Sequence, residues 1–332
     1  MQRRALGNTG VSVSELGLGT CFMSGQGQQA VNQCVARAVD RGIDYFDTAA
    51  DYGKGNDERM LGMALRGCRD KAFLATKVGC VDDPGGHHKA ESLIRQFEDS
   101  LRRLQTDRVD LLQLHEADQR KWWTADPMSV AEAADHCGPL ICDDEDYDFL
   151  AAPCVEFLQR VKKHGKARFI GITGKDARRL ARIVRAIPVD GMMIAHQYNP
   201  IYRNAVEFLL PLTDAQGVGV VGGAMLMKGW LAVPKTAWRT GRPNWMDDTF
   251  QDAYVHYLDI QASSGIPMPE LTLRWLLPEK RLSSIVVGFS GWPEIEANIA
   301  AIERGPLPSD IQADIDAIGI VHPLLYQGRT TI

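Results

Sequence analysis

No run of apolar residues in this 332-residue chain approaches the about eighteen needed to span a bilayer. The opening segment, Met1-Gln2-Arg3-Arg4-Ala5-Leu6-Gly7, lacks the apolar core of a secretion signal. These absences predict a soluble, cytoplasmic protein without a membrane partner. Basic charge is not concentrated anywhere: the net charge is -5 and the lysines and arginines are spread along the chain, which argues against a nucleic-acid partner. Closely spaced cysteine pairs are also missing. The seven cysteines (21, 34, 68, 80, 137, 142 and 154) are scattered, and the nearest thing to a metal cluster is Cys137 and Cys142 with His136 beside them. That spacing fits no common zinc site, so reduced thiols and no metal are expected.

What the chain does have is ordinary globular composition, 45% hydrophobic and 24% charged, ample for a large core. Three apolar, strand-like runs end in an ionisable residue. The run Gly42 to Phe46 ends at Asp47, with Tyr52 five residues later; Ala72 to Thr76 ends at Lys77; Val109 to Leu114 ends at His115. Gathered at one rim, these four would make a proton-transfer site. A free tyrosine hydroxyl, with a pKa near 10, is a poor acid or base at neutral pH unless a nearby cation favours its phenolate. Lys77 would supply that charge and Asp47 would hold the lysine. Tyr52 would then protonate a carbonyl oxygen during reduction or take the proton of an alcohol during oxidation, with His115 orienting the substrate oxygen or sharing the proton.

After an N-terminal hairpin, strand-like runs at 43–47, 72–77, 109–115, 167–172, 191–196, 218–222 and 285–288 alternate with amphipathic stretches at 57–66, 91–104, 154–164, 176–186, 204–215 and 293–302. Repeated βα units imply a parallel sheet, and this many without an obvious edge strand predict closure into one (β/α)8 TIM barrel domain over residues 1–332. Such barrels place their chemistry at the carboxyl ends of the strands, where Asp47, Lys77 and His115 fall. Gly217-Val218-Gly219-Val220-Val221-Gly222 spells a dinucleotide fingerprint, but its glycines enclose a strand instead of opening a helix, so it reads as a barrel strand. Residues 119–150 form a long insertion after His115, with Trp122 and Trp123 near its start. Such a connection at the active end shapes or covers a substrate site. The two tryptophans either stack on a substrate ring or anchor the loop. The acidic run Asp143 to Asp146 reads as a solvated turn.

The chain resembles the aldo-keto reductase superfamily. The resemblance rests on Leu6-Gly7-Asn8-Thr9-Gly10 with Val13-Ser14-Glu15-Leu16-Gly17-Leu18-Gly19-Thr20, on Phe46-Asp47-Thr48-Ala49 with Tyr52-Gly53, on Ala75-Thr76-Lys77, and on Leu101-Arg102-Arg103-Leu104 followed by Val109 to His115; it runs to about Asn298. It implies the tetrad Asp47, Tyr52, Lys77 and His115, and a nicotinamide dinucleotide extended across the rim. Cofactor contacts would come from Gly19, Thr20, Asp47, Thr173, Gly174, Gln197, Gly223, Leu226, Lys228, Gly288, Ser290, Glu294 and Asn298. Thr173 keeps a hydroxyl where relatives have serine, whereas Gly174 loses the amide of their asparagine. Gly223 replaces an aromatic that stacks on the nicotinamide, so Met225 or a loop tryptophan would have to pack the ring. Phe22, Trp122 and Trp123 are the candidate substrate contacts, and Trp230, Trp238 and Trp245 would form a lid over the cofactor.

The family's cationic positions fall on Gly288, Ser290 and Glu294. None is basic, and an acid there suits a ribose hydroxyl better than a 2′-phosphate. NAD(H) is therefore expected over NADP(H), unless Lys228, Lys280 or Arg281 supplies the charge. An NAD enzyme points to oxidation of an alcohol, sugar or lactol; an NADPH-dependent aldehyde or ketone reductase is the alternative. A cofactor-binding regulatory subunit with little turnover is the reading from another class.

Overall fold

The computed structural model describes residues 1–81, 83, 85–126 and 128–322. Strands β1 (Arg3–Ala5) and β2 (Ser12–Ser14) form the antiparallel hairpin. The barrel follows: β3 (Leu16–Gly19), α1 (Gln28–Asp40), β4 (Tyr45–Asp47), α2 (Asn56–Ala64), β5 (Phe73–Val78), α3 (Ala90–Leu104) and β6 (Val109–Leu114). The insertion carries α4 (Val130–Ala134) before α5 (Pro153–Lys163) and β7 (Ala167–Gly174). Then come α6 (Ala177–Ala186), β8 (Gly191–Ala195), α7 (Asn204–Phe208), α8 (Leu210–Gln216), β9 (Gly219–Gly223), α9 (Asp248–Ser264), α10 (Met268–Leu276), β10 (Leu282–Gly288), α11 (Trp292–Glu303) and α12 (Ser309–Ile318). Eight parallel strands close in the order β10-β3-β4-β5-β6-β7-β8-β9. No helix among the described residues is long and apolar enough to cross a membrane.

Strand alternation divides the core into two layers. Tyr45, Phe73, Ala75, Leu111, Phe169, Met193, Val221 and Val286 fill the barrel interior. Their neighbours of opposite parity, such as Phe46, Leu74, Leu112, Ile170, Met192 and Val220, pack outward against the helices. The hairpin plugs the amino-terminal end, where Leu6 and Val13 join the interior cluster. Gly7 makes this close approach feasible: its φ is +50°, and a Cβ there would meet the Gly217 carbonyl oxygen at 2.3 Å.

The sequence reading and the structure differ in three places. The eighth strand is β3, whose Leu-Gly-Leu-Gly pattern is disguised because glycine is depleted in strands. The structure adds helices α1, α4, α9, α10 and α12 to those the sequence predicts. The expected helix over 204–215 is two, α7 and α8, interrupted at Leu209. Pro211 explains the break, since it has no N–H for the Glu207 carbonyl and its ring crowds that turn.

Candidate active site

Parity also builds the rim. Counting inward-facing positions upward from the interior layer, Tyr45 leads to Asp47, Phe73 and Ala75 to Lys77, and Leu111 to Gln113 and His115. Asp47, Lys77 and His115 are all buried. Lys77 Nζ is ion-paired with Asp47, donates to the Thr48 carbonyl at 2.8 Å and lies 3.4 Å from the Tyr52 hydroxyl. Gln113 Nε2 stands 3.5 Å from the other Asp47 oxygen. The four residues named from the sequence thus meet at one place.

Their titration differs from the expectation in one respect. Lys77 does sit beside Tyr52, but burial first, and then the carboxylates of Asp47, Asp51 and Glu116, push the phenol well above its ordinary pKa. Tyr52 is therefore a neutral phenol, poised as a proton donor. Burial likewise lowers His115 to about 4, against the opposing pull of Asp51, so its imidazole is neutral. Its Nδ1 lies 3.1 Å from Asp51 Oδ1. A carboxylate there assigns the proton to Nδ1 and leaves Nε2 as an acceptor.

Asp51 opens a second half of the site that sequence reading missed. Its Oδ2 takes a 2.7 Å hydrogen bond from His136 Nε2, delivered by the insertion. The His136 and His115 rings meet edge to face at 4.8 Å. Burial works against a charge on His136, but hydrogen bonds with Asp51, Cys80 and Glu116 push its pKa up to about 12. Glu116 completes the group: its Oε1 is 2.9 Å from Lys175 Nζ and 3.8 Å from His136 Nδ1. Burial alone would raise Glu116, yet Lys175 and the histidines hold it below the carboxylate range. Only adjacency signalled these residues, with Asp51 next to Tyr52 and Glu116 next to His115; nothing local signalled that His136 reaches Asp51. A cavity of about 190 Å³ beside this group is lined by Glu116, Asp118, His136, Lys175 and Arg179 among others.

Several backbones here are unusual. Cys80, Glu116, His196 and Ala224, each just past the end of a barrel strand, have φ between +52° and +67°. Non-glycine residues adopt this region at a cost and cluster where the chain must turn side chains into a site.

The expected cofactor contacts fall into three groups. Gln197 and Asn298 are buried, and their amide nitrogens have no partner among the described residues. Buried polar atoms are nearly always satisfied, so two orphaned donors at opposite ends of the expected cofactor path fit a ligand rich in acceptors, as a nicotinamide dinucleotide is. Thr20 and Thr173 are engaged in the rim: Thr20 Oγ1 donates to Thr48 Oγ1 at 2.8 Å, and Thr173 Oγ1 accepts from the Glu116 N–H at 3.1 Å. Gly19 is the last residue of β3, and Leu226 and Lys228 lie in the turn after β9, Lys228 with φ +53°.

Two glycines have their space filled by residues the sequence did not name. A Cβ on Gly223 would come within 2.7 Å of Met193 Sδ, whereas Met225 packs outward against Gly222. Met193, rather than Met225, fills the space beside Gly223. The three loop tryptophans pack on one another and on α9, with Trp230 and Trp245 stacked at 4.4 Å and Trp245 against Phe250 at 5.5 Å. A Cβ on Gly174 would meet Asp118 Oδ1 at 2.7 Å. Asp118 accepts from the N–H groups of Lys175 and Asp176 at 2.8 Å each, while burial and then Glu116 raise its pKa to about 7.

At the far end, Glu294 accepts from both the N–H and the hydroxyl of Ser290 at 2.8 Å, and Phe22 lies against Gly288. Lys280 and Arg281 precede β10, at the end of the strand opposite Gly288, and Arg281 chelates Glu279; they do not serve the rim. Arg37 of α1, which sequence reading passed over, stacks on Trp292 at the start of α11 at 5.3 Å.

Trp122 is 1% exposed and its indole donates to the His115 carbonyl at 3.0 Å; Trp123 donates to the Ala117 carbonyl at 2.6 Å and keeps partial exposure. Both contacts anchor the insertion, and burial takes Trp122 out of a substrate's reach. The acidic run is more than a solvated turn, because Glu145 grips Arg120 at 3.1 and 2.7 Å.

The aldo/keto reductase family model matches residues 15–320. The L-galactose dehydrogenase of Arabidopsis thaliana is 30% identical over 337 residues, covering 96% of this chain and 94% of that protein. A D-threo-aldose 1-dehydrogenase from Pseudomonas sp. is 26% identical, with 84% of each covered. Among solved structures, the holo form of aldo-keto reductase AKR11C1 from Bacillus halodurans superposes with a TM-score of 0.75 at 26% identity, covering 97% of this chain and 98% of that one.

Proposed function

The chain belongs to the aldo-keto reductase family, and from that premise we propose that this NAD(P)-dependent oxidoreductase oxidises a sugar, lactol or other secondary alcohol with NAD+, using Tyr52 as general acid–base. The observation that carries the reading is the contiguous chain Asp47, Lys77, Tyr52 at the barrel rim with His115 held beside it by Asp51. Gln197 and Thr173 would hold the carboxamide and Asn298 the adenine, and the bound nicotinamide supplies the hydride acceptor.

The substrate hydroxyl would lie between Tyr52 and the free Nε2 of His115. In the oxidative direction Tyr52 gives up its own proton before taking the substrate's. Lys77, fixed by Asp47 and the Thr48 carbonyl, is the cation that favours the phenolate; burial and three carboxylates oppose it. Oxidation should therefore quicken with pH up to the alkaline limit of folding, and reduction should slow. The acid- and imidazole-rich wall made by Asp51, Glu116, His136 and Lys175 suits a polyhydroxylated substrate, whose hydroxyls both donate and accept. The names of the two dehydrogenase relatives agree with a sugar.

The preference for NAD+ rests on Gly288, Ser290 and Glu294, which offer no cation. One observation favours the alternative of an NADPH-dependent reductase: Arg37, over Trp292, brings a guanidinium to the start of α11. Titrating the protein with NADH and NADPH while following tryptophan fluorescence separates the two. Tighter NADH binding, followed by NAD+ reduction on a panel of aldoses, supports the proposal. Tighter NADPH binding that collapses in Arg37→Ala replaces it with carbonyl reduction.

A further inference from the structure

Three side chains from three segments converge beside Tyr52 in a pattern that proton transfer does not require. Cys80 follows β5, His115 follows β6, and His136 comes from the insertion; one ligand atom of each lies within 4.8 Å of the others. One thiol with two imidazoles is a ligand set preferred by zinc and other thiophilic divalent cations. The geometry points to a site for a single thiophilic divalent cation, with Zn2+ as its type, at Cys80, His115 and His136, that shuts the active site by occupying the free nitrogen of His115.

The nitrogens support this in detail. Asp51 engages one nitrogen of each ring, His115 Nδ1 at 3.1 Å and His136 Nε2 at 2.7 Å. The remaining two, His115 Nε2 and His136 Nδ1, both face Glu116 Oε1, at 4.0 and 3.8 Å. A carboxylate fixing the outer nitrogens while the inner ones converge is how protein-bound metal sites orient their histidines. The left-handed backbone of Cys80 places its thiol in this group, with Lys121 Nζ 3.5 Å from the sulfur. Tetrahedral zinc, with bonds of about 2.0 Å to nitrogen and 2.3 Å to sulfur, sets ligands about 3.3–3.8 Å apart, so the group must close by about 1 Å. His136 can supply that movement, since its side chain is 37% exposed and stands on the insertion.

The exchange balances. The Cys80 thiol and the His136 imidazolium each release one proton to solvent, three coordinate bonds form to the cation, and a doubly charged ion takes the place of two protons without any change of oxidation state. The fourth position is left to water. Binding stands independently of the proposed function; inhibition rests on it, because it requires His115 Nε2 to be the group that meets the substrate.

Anaerobic titration of the full chain with Co2+ tests binding without turnover. The expected result is one Co2+ per chain with intense visible bands of tetrahedral coordination and a near-ultraviolet thiolate charge-transfer band, both abolished by Zn2+. Cys80→Ser should lose the charge-transfer band and Cys137→Ser should keep it. Asp51→Asn should weaken Zn2+ by about tenfold, the scale for losing an outer hydrogen-bond partner, and His136→Ala by more. Weak octahedral bands, or a band lost in Cys137→Ser and kept in Cys80→Ser, would overturn the site. Should Cys80→Ser fail to fold, X-ray absorption of the zinc-loaded wild type decides: one sulfur and two imidazoles support the site, and oxygen and nitrogen alone sink it. For inhibition, the ratio of rates without and with Zn2+ should be large in the wild type, return to one with EDTA, and shrink in His136→Ala. Tight binding with a ratio of one would refute the inhibitory role alone.

Discussion

Lys77 and His136 stand on either side of the Asp51–Tyr52 dipeptide, yet they arrive by opposite routes. Lys77 is the inward-facing residue at the top of a buried strand, held by Asp47 and the Thr48 carbonyl. Its place follows from hydrogen-bonded register with β4 and β6. Among its described residues, the long connection that carries His136 has only a 3-10 turn at Arg120–Trp122, one turn of α-helix and a bridge between Gln119 and Leu140 as regular structure. His136 is held by Asp51 and Glu116, by Lys175 donating to its carbonyl at 2.8 Å, and by the anchoring of Trp122 and Trp123. A strand places a side chain through the whole sheet, whereas a loop places one through a few polar contacts. The first side of the site should be rigid and costly to alter, and the second should be tunable.

The largest expected effect lies on the strand side. Asp47→Ala leaves Lys77 charged in a buried setting and should cost about 3–5 kcal/mol of folding stability, read from urea denaturation. An unchanged midpoint would mean that the pair is not the anchor it looks to be. Next, Tyr52→Phe should keep NADH affinity while turnover falls by about 10² or more; near-normal turnover would remove the central assignment. His136→Ala should lower turnover less than Tyr52→Phe and move the acid limb of the pH–rate profile. His115 and His136 hold Asp51 below the carboxylate range against its burial, so losing one of them raises its pKa, and activity should disappear at a higher pH. A profile that only scales down, without moving, would reduce His136 to scaffolding.

A thermal measurement sharpens the same contrast. Because His115 is lowered to about 4 from 6.5, the unfolded chain binds its proton more readily. That neutral-state stability is present above pH 6.5 and is lost as pH falls towards 4. The same sign holds for His87 and His196, each lowered by burial to about 3. Melting temperature should therefore fall through this window, with His136 opposing the fall only near its upper edge: its pKa is raised in the folded chain, so its stabilisation grows as pH falls through 6.5 and is fully present below. The smallest effect is expected at the exposed adenosine end, where Glu294→Lys should tighten NADPH by only a few-fold, about 0.5–1 kcal/mol at a solvent-exposed position.

Much of the barrel was legible because period-2 alternation and the residues ending each apolar run are local properties of the chain. Asp47, Lys77 and His115 were found that way, and the rejection of Gly217 to Gly222 as a fingerprint agrees with β9 pairing on both sides. The glycine-rich β3 was harder to see, because it lacks the branched residues that mark a strand. Trp122 illustrates the opposite error: an aromatic in an active-end loop suggested a substrate platform, but burial against Gly79 and a bond to the His115 carbonyl make it a strut. Substitutions read from resemblance, such as Gly223 and Gly174, showed what was lost without showing what replaced it. Met193 fills one space from the neighbouring strand β8 and Asp118 the other from the turn after β6, and no local pattern joins them.

By itself the sequence determined the alternating elements, the parity that turns Asp47, Lys77 and His115 inward, and the company Tyr52 keeps, because each follows from the fixed geometry of a strand. Only the tertiary structure decided that Tyr52 is a half-buried neutral phenol, that Asp51 bridges two histidines, and that Cys80, His115 and His136 converge. Charge states and ligand clusters depend on distances between segments far apart in the chain and on how much water the folded barrel excludes from them, and neither quantity exists until the barrel has closed.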